Sequence, residues 1–126
     1  MSTEHNKAII RSFFSALEDG NLDALSALID ENAQWWVQGK GSLSKQGFYT
    51  NTGQILAMTA QRTATIQRII AEDNLVHANV STRFVFNDGR ILNNTMSLSV
   101  EMNEGLIIDS TEFMDVDSVR AFFAGA

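Results

Sequence analysis

From Thr63 to Asp115 the side chains follow a period of two, and two triplets interrupt the run, Asn87-Asp88-Gly89 and Asn103-Glu104-Gly105. Alternation sends successive side chains to opposite faces of an extended chain, and such triplets favour tight reversals. The pattern predicts strands at about 63–72, 75–87, 90–102 and 106–115, the last three forming an antiparallel meander. Upstream the period is helical. Ile9, Ile10, Phe13, Phe14 and Leu17 form one apolar stripe, with Thr3 placed to cap the helix and Gly20 to stop it. A shorter helix carries Leu22, Leu25, Leu28 and Ile29, and "AQWWVQG" reads as a first strand. "SKQGFYTNTGQILAMTAQ" reads as a loop followed by a short helix around Gln54 to Ala60. "DSVRAFFAGA" is a closing helix capped by Asp117 or Ser118. Helices first and a sheet afterwards predict one α+β domain over residues 1–126, with helices on one face of the sheet.

Charge narrows the partners. The formal net charge is −6 with no basic block, so neither a nucleic-acid backbone nor an anionic membrane surface is an expected partner. There is no cysteine, which removes thiolate chemistry and disulfides, and His5 and His77 give no metal-ligand spacing. No metal or cofactor is therefore expected. "MSTEHNKAII" has no secretory pattern, and no run reaches the ~18 apolar residues of a membrane helix, so the expected location is cytoplasmic.

The segment "VHANVSTRFVF" offers two faces, Val76, Ala78, Val80, Thr82, Phe84 and Phe86 against His77, Asn79, Ser81, Arg83 and Val85. Ordinary alternation buries the first set and solvates the second. The alternative buries both faces: the polar set lines a pocket under the helices, while Phe84 and Phe86 pack against a second copy of the chain in a homodimer. The apolar faces of the next two strands, among them Leu92, Met96, Leu98 and Val100, fit that alternative.

The order of parts resembles a known family. "NKAIIRSFFSALEDGNLDALSALIDENAQWWVQG" is similar to the opening of the SnoaL-like and ketosteroid-isomerase-like proteins of the NTF2-like superfamily, and "NEGLIIDSTEFMD" looks like their closing strand. The resemblance implies a cone, three N-terminal helices closing over a strongly curved, mixed but mainly antiparallel sheet with an internal pocket. It also implies frequent dimers across the convex side. Residue by residue, the tyrosine and aspartate of the steroid isomerases fall on Phe13 and Val37, so their triad is absent. Compared with the limonene-epoxide-hydrolase branch, one acid is kept at Glu112. The arginine and second acid fall on Asn79 and Ser81, and the tyrosine and asparagine on Trp35 and Val37. In the polyketide-cyclase branch Glu112 is the counterpart of the acid near the end of the last strand. The resemblance places Asn79, Ser81, Asn94, Met96 and Glu112 on the concave side.

Glu112 is accordingly the candidate catalytic acid or base. A carboxyl beside Phe13, Trp35 and Met96 is poorly hydrated, which raises its pKa toward the useful range. The competing reading is an ion pair with Arg83. Asn79, Ser81 and Asn94 are candidate hydrogen-bonding groups for a ligand, or partners of one another. Only one of Trp35 and Trp36 can face inward. The expected function is a cofactor-independent isomerase, cyclase, lyase or hydrolase acting on a small apolar oxygenated metabolite. The alternatives are a binding module for a small hydrophobic ligand and a dimerisation module.

Overall fold

The structure, a computed structural model of the chain, describes residues 2–125. Helix α1 spans Thr3–Asp19, with Ser2 accepting from the His5 N–H as N-cap, so Thr3 is the first helical residue rather than the cap. Gly20 ends it in the left-handed conformation at φ 67°, as its position predicts. Helix α2 is only Leu22–Ala27. Leu28 caps it and Ile29 opens strand β1, Ile29–Val37, so these two residues are not part of a longer apolar helix face.

The region read as loop and short helix is more ordered than expected. A short strand β2, Gly41–Ser44, pairs antiparallel with the end of β1, and helix α3 runs over Lys45–Ala57. Ser44 caps α3 through a hydrogen bond from the Gly47 N–H. Strands β3 (Thr59–Glu72), β4 (Leu75–Phe86), β5 (Ile91–Asn103) and β6 (Leu106–Met114) then run as a continuous antiparallel meander. Helix α4, Val116–Ala124, closes the chain, and its cap is Asp115 rather than Asp117 or Ser118.

The sheet order is β2-β1-β6-β5-β4-β3, and the β1–β6 pair is parallel. This makes the mixed, mainly antiparallel, curved sheet of the expected fold, with three helices before the meander and α4 after it.

Register decides the faces. Val80 pairs with Met96, Met96 with Met114, and Leu98 with Glu112, so these side chains share one face. That face also carries buried Val76, Ala78, Thr82 and Phe86 and is the one covered by helices. Ordinary alternation therefore holds for β4. Phe84 lines the interior and Phe86 packs against Phe122 and edge-on to Phe123 of α4, so neither is available for the dimer contact expected of them. His77, Asn79, Ser81 and Arg83 lie on the outer face. The alternation slips once in β6, where Ile107 pairs with Met102 but Asp109 with Glu101, so that Ile107 and Ser110 are both buried. No helix among the described residues is long and apolar enough to cross a membrane.

Candidate active site

Between the helices and the inner face of the sheet lies a cavity of about 530 Å³, within the size range of small-molecule sites. Its walls are mostly apolar. Phe13, Phe14 and Leu17 come from α1, Trp35 and Val37 from β1, and Phe48 and Leu56 from α3. The meander adds Phe84, Met96, Leu98 and Met114, and α4 adds Val119 and Phe123. Trp35 is stacked on Phe13 at 5.4 Å between ring centroids and lies 4.6 Å from Phe48, which fixes its indole plane. Trp36 points to the other side of the sheet, against Phe113.

Glu112 is the one acid among the described residues lining this cavity. Its strand neighbours are Leu98 on β5 and Val37 on β1. The Trp35 indole N–H donates to Glu112 Oε1 at 3.2 Å, and Oε2 has no hydrogen-bond partner among the described residues. The residue is half-buried, and the space it borders is the cavity. Loss of hydration pushes the Glu112 carboxyl above its ordinary pKa of 4.5, and the hydrogen bond from Trp35 partly opposes that rise. Arg83 is exposed on the other face of the sheet, so the pairing that would have fixed Glu112 as a structural anion is not made.

Of the other sequence-derived candidates, Phe13, Trp35 and Met96 meet Glu112 in the cavity. Asn79, Ser81 and Arg83 do not, because strand alternation puts them outside. Asn79 Oδ1 accepts from Ser97 at 3.0 Å and lies 3.1 Å from His77 Nε2, in a network that includes Ser99. That is the mutual satisfaction expected of polar groups on an outer strand face. Asn94 pairs with Thr82 on the inner side, but lies outside the cavity wall, and its Oδ1 accepts from the adjacent Thr95 N–H at 2.9 Å.

The cavity's polar groups come instead from residues that the sequence did not single out. Gln38 follows β1, and its Oε1 accepts from the Met114 N–H at 3.0 Å. Its backbone N–H donates to the Glu112 carbonyl at 2.9 Å. With its oxygen held, the side-chain amide keeps its two N–H donors for other partners. Asn51, Thr52 and Gln54 come from α3, Lys40 from the β1–β2 turn and Arg120 from α4. The spacing of Phe48, Thr52, Ile55 and Leu56 is helical and was the available signal for α3.

Comparison with known proteins agrees with this architecture. Residues 10–110 match the SnoaL-like domain, and the chain belongs to that family. BvnE pinacolase from Penicillium brevicompactum superposes with a TM-score of 0.87 at 18% identity, covering 98% of this chain and 93% of its own. An LEH-like epoxide hydrolase from M. tuberculosis gives 0.79 at 14% identity, with 98% of each chain covered. A protein of ketosteroid isomerase-like fold from Catenulispora acidiphila, in complex with trimethylamine, gives 0.78 at 15%, covering 90% and 89%. Identities this low establish the shared fold and no reaction. Among curated proteins none matches the chain in sequence.

Proposed function

We propose that the protein is a cofactor-independent enzyme that moves a proton on a small, largely apolar carbonyl compound, in an isomerisation or cyclisation. The supporting observation is the state of Glu112: one oxygen tethered by Trp35, the other free, in an apolar cavity that raises the carboxyl pKa. A carboxylate with a raised pKa is a stronger base near neutrality, and its conjugate acid is a usable donor. Glu112 would take the proton from a carbon next to the substrate carbonyl, leaving an enolate and a carboxylic acid. Returning that proton to another carbon of the conjugated system isomerises the substrate. Attack of the enolate carbon on a second carbonyl closes a ring, and the proton then goes to the new alkoxide. Gln38, Asn51 and Gln54 carry the amide donors on the wall, and these can stabilise the oxyanion.

One acid serves this chemistry better than hydrolytic epoxide opening, which calls for an acid and a base acting together. A pinacolase and an epoxide hydrolase among the structural relatives are compatible with proton-transfer chemistry in the fold. Glu112→Gln keeps the shape and removes the base. Turnover of a carbonyl substrate found by screening should fall about 10²–10⁴-fold with the fold intact by circular dichroism. Unchanged turnover would end the assignment. Ligand binding without product from any carbonyl compound would instead make this a binding module.

We also propose that the chain forms a homodimer through the outer face of the sheet. Phe113, 49% exposed, packs there on Trp36, and Ile91 is exposed on the same side.

A further inference from the structure

We propose that the substrate is amphipathic and anionic: an apolar body with a carboxylate that sits at the cavity mouth between Lys40 and Arg120. This rests on the reading of the cavity as a substrate site and adds the charge of what enters it. Lys40 and Arg120 are the cations among the described residues lining the cavity, and both are exposed, which places them at its opening. The described residues form two ion pairs, Lys7–Glu4 and Arg90–Asp88, and neither includes a mouth cation. The molecule has six more acidic than basic side chains, from 15 Asp and Glu against 9 Lys and Arg. Two cations without carboxylate partners at a pocket mouth are therefore not a by-product of a basic surface.

The local backbone brings them together. Gly39, at φ 88°, lies between β1 and Lys40, and Lys40 N–H donates to the Val37 carbonyl in a tight turn. A Cβ at position 39 would stand 3.5 Å from an Arg120 guanidinium nitrogen and 3.1 Å from a Val116 methyl. The turn carrying Lys40 and the helix carrying Arg120 thus meet over a glycine. Val37 is the strand partner of Glu112, and Lys40 lies three residues further along the chain, so the turn at the mouth leads directly from the floor of the site. A short ligand can reach both. Among the described residues, two cations against the single acid Glu112 leave the charged side chains of the cavity lining net positive toward an entering ligand.

The test uses 1-naphthylacetate and its neutral isostere 1-naphthylacetamide, titrated against the full chain with Trp fluorescence as readout. Trp35 lines the cavity, so binding there perturbs its emission. The anion should bind about fivefold to tenfold tighter at low ionic strength, the range expected of two exposed charge contacts, and the preference should shrink with added salt. Lys40→Gln/Arg120→Gln should abolish the preference while the amide's affinity stays the same. Both surface substitutions leave the core untouched, so a folded variant is expected. Equal binding of the two probes to the wild type, or a preference that survives in the double variant, overturns the anion site and leaves the cavity reading standing. Binding of neither probe at millimolar concentration overturns the cavity reading and this inference with it.

Discussion

At the scale of single residues, Glu112 ties stability to pH in an unusual direction. Most carboxylates that make native contacts have lowered pKa values and stabilise the fold as pH rises. Glu112 is raised by dehydration, so the folded protein holds this proton more tightly than the unfolded chain does. Its contribution is fully present below the unfolded value and is lost as pH rises through the folded one. Glu112→Gln removes that loss. The variant should match the wild type in acid and become progressively more stable than it above about pH 4.5, the group's ordinary value. Paired thermal melts across about pH 4 to 8, from the ordinary Glu titration upward, measure the difference. A constant gap across that range would mean the carboxyl is hydrated in the folded state.

The same residue shows what could and could not be read from the chain. A carboxylate in "GLIIDSTEFMD" announces itself because the residues around it are built for burial. Trp35 follows from alternation once β1 is recognised. Gln38, Lys40 and Arg120 carry no such mark, since a polar residue after a strand or on a closing helix has the same appearance whether it borders a cavity or water. Only the folded chain brings the β1–β2 turn under α4.

At the scale of elements, the meander was readable because turns and alternation agree. Gly89 and Gly105 do adopt positive φ, at 88° and 83°. The choice of face on β4 was not settled by alternation alone, because an apolar stripe can meet helices or a second subunit equally well. What settles it is the cover present: Val76, Ala78 and Val80 join the core cluster with α1, Phe86 packs against Phe122 and Phe123 of α4, and on the outer face His77, Asn79, Ser97 and Ser99 form one polar network. Helix α1 is also fastened to the free edge of β3. Arg62 Nε donates to the Leu17 carbonyl at 3.1 Å, and the Ala64 N–H donates to Glu18 Oε2 at 2.9 Å, which blocks part of an edge open to association. Gly20 sits under that arginine, and a Cβ there would come within 2.6 Å of its guanidinium. Gly20→Ala combines left-handed strain with this clash and should cost about 1–2 kcal/mol. Urea unfolding should show a lower midpoint with unchanged slope. A midpoint equal to wild type would mean the arginine moves freely and the fastening is dispensable.

At the scale of the whole molecule, the cavity and the proposed dimer contact lie on opposite faces of one sheet. The inner face holds the cavity, and the outer face is available for a partner copy. A two-fold contact needs a self-complementary patch, and the small side chains Thr95, Ser97 and Ser99 on β5 allow close approach next to the aromatic pair Trp36 and Phe113. Phe113→Asp places a charge in the centre of that patch, where in a dimer it would meet its own copy. It should convert a dimer into a monomer of half the mass by sedimentation, with little change in the fold, since Phe113 is already half in water. Phe84→Asp behaves oppositely: the side chain lines the cavity, so the variant should lose naphthyl-ligand binding or fail to fold rather than simply dissociate. Because Phe113 and Glu112 are consecutive on β6 and point to opposite sides, the Phe113→Asp monomer should keep the wild-type affinity for 1-naphthylacetamide. If ligand affinity falls together with the dimer, the outer face shapes the cavity through the sheet. If the wild type sediments as a monomer, the outer-face contact does not exist.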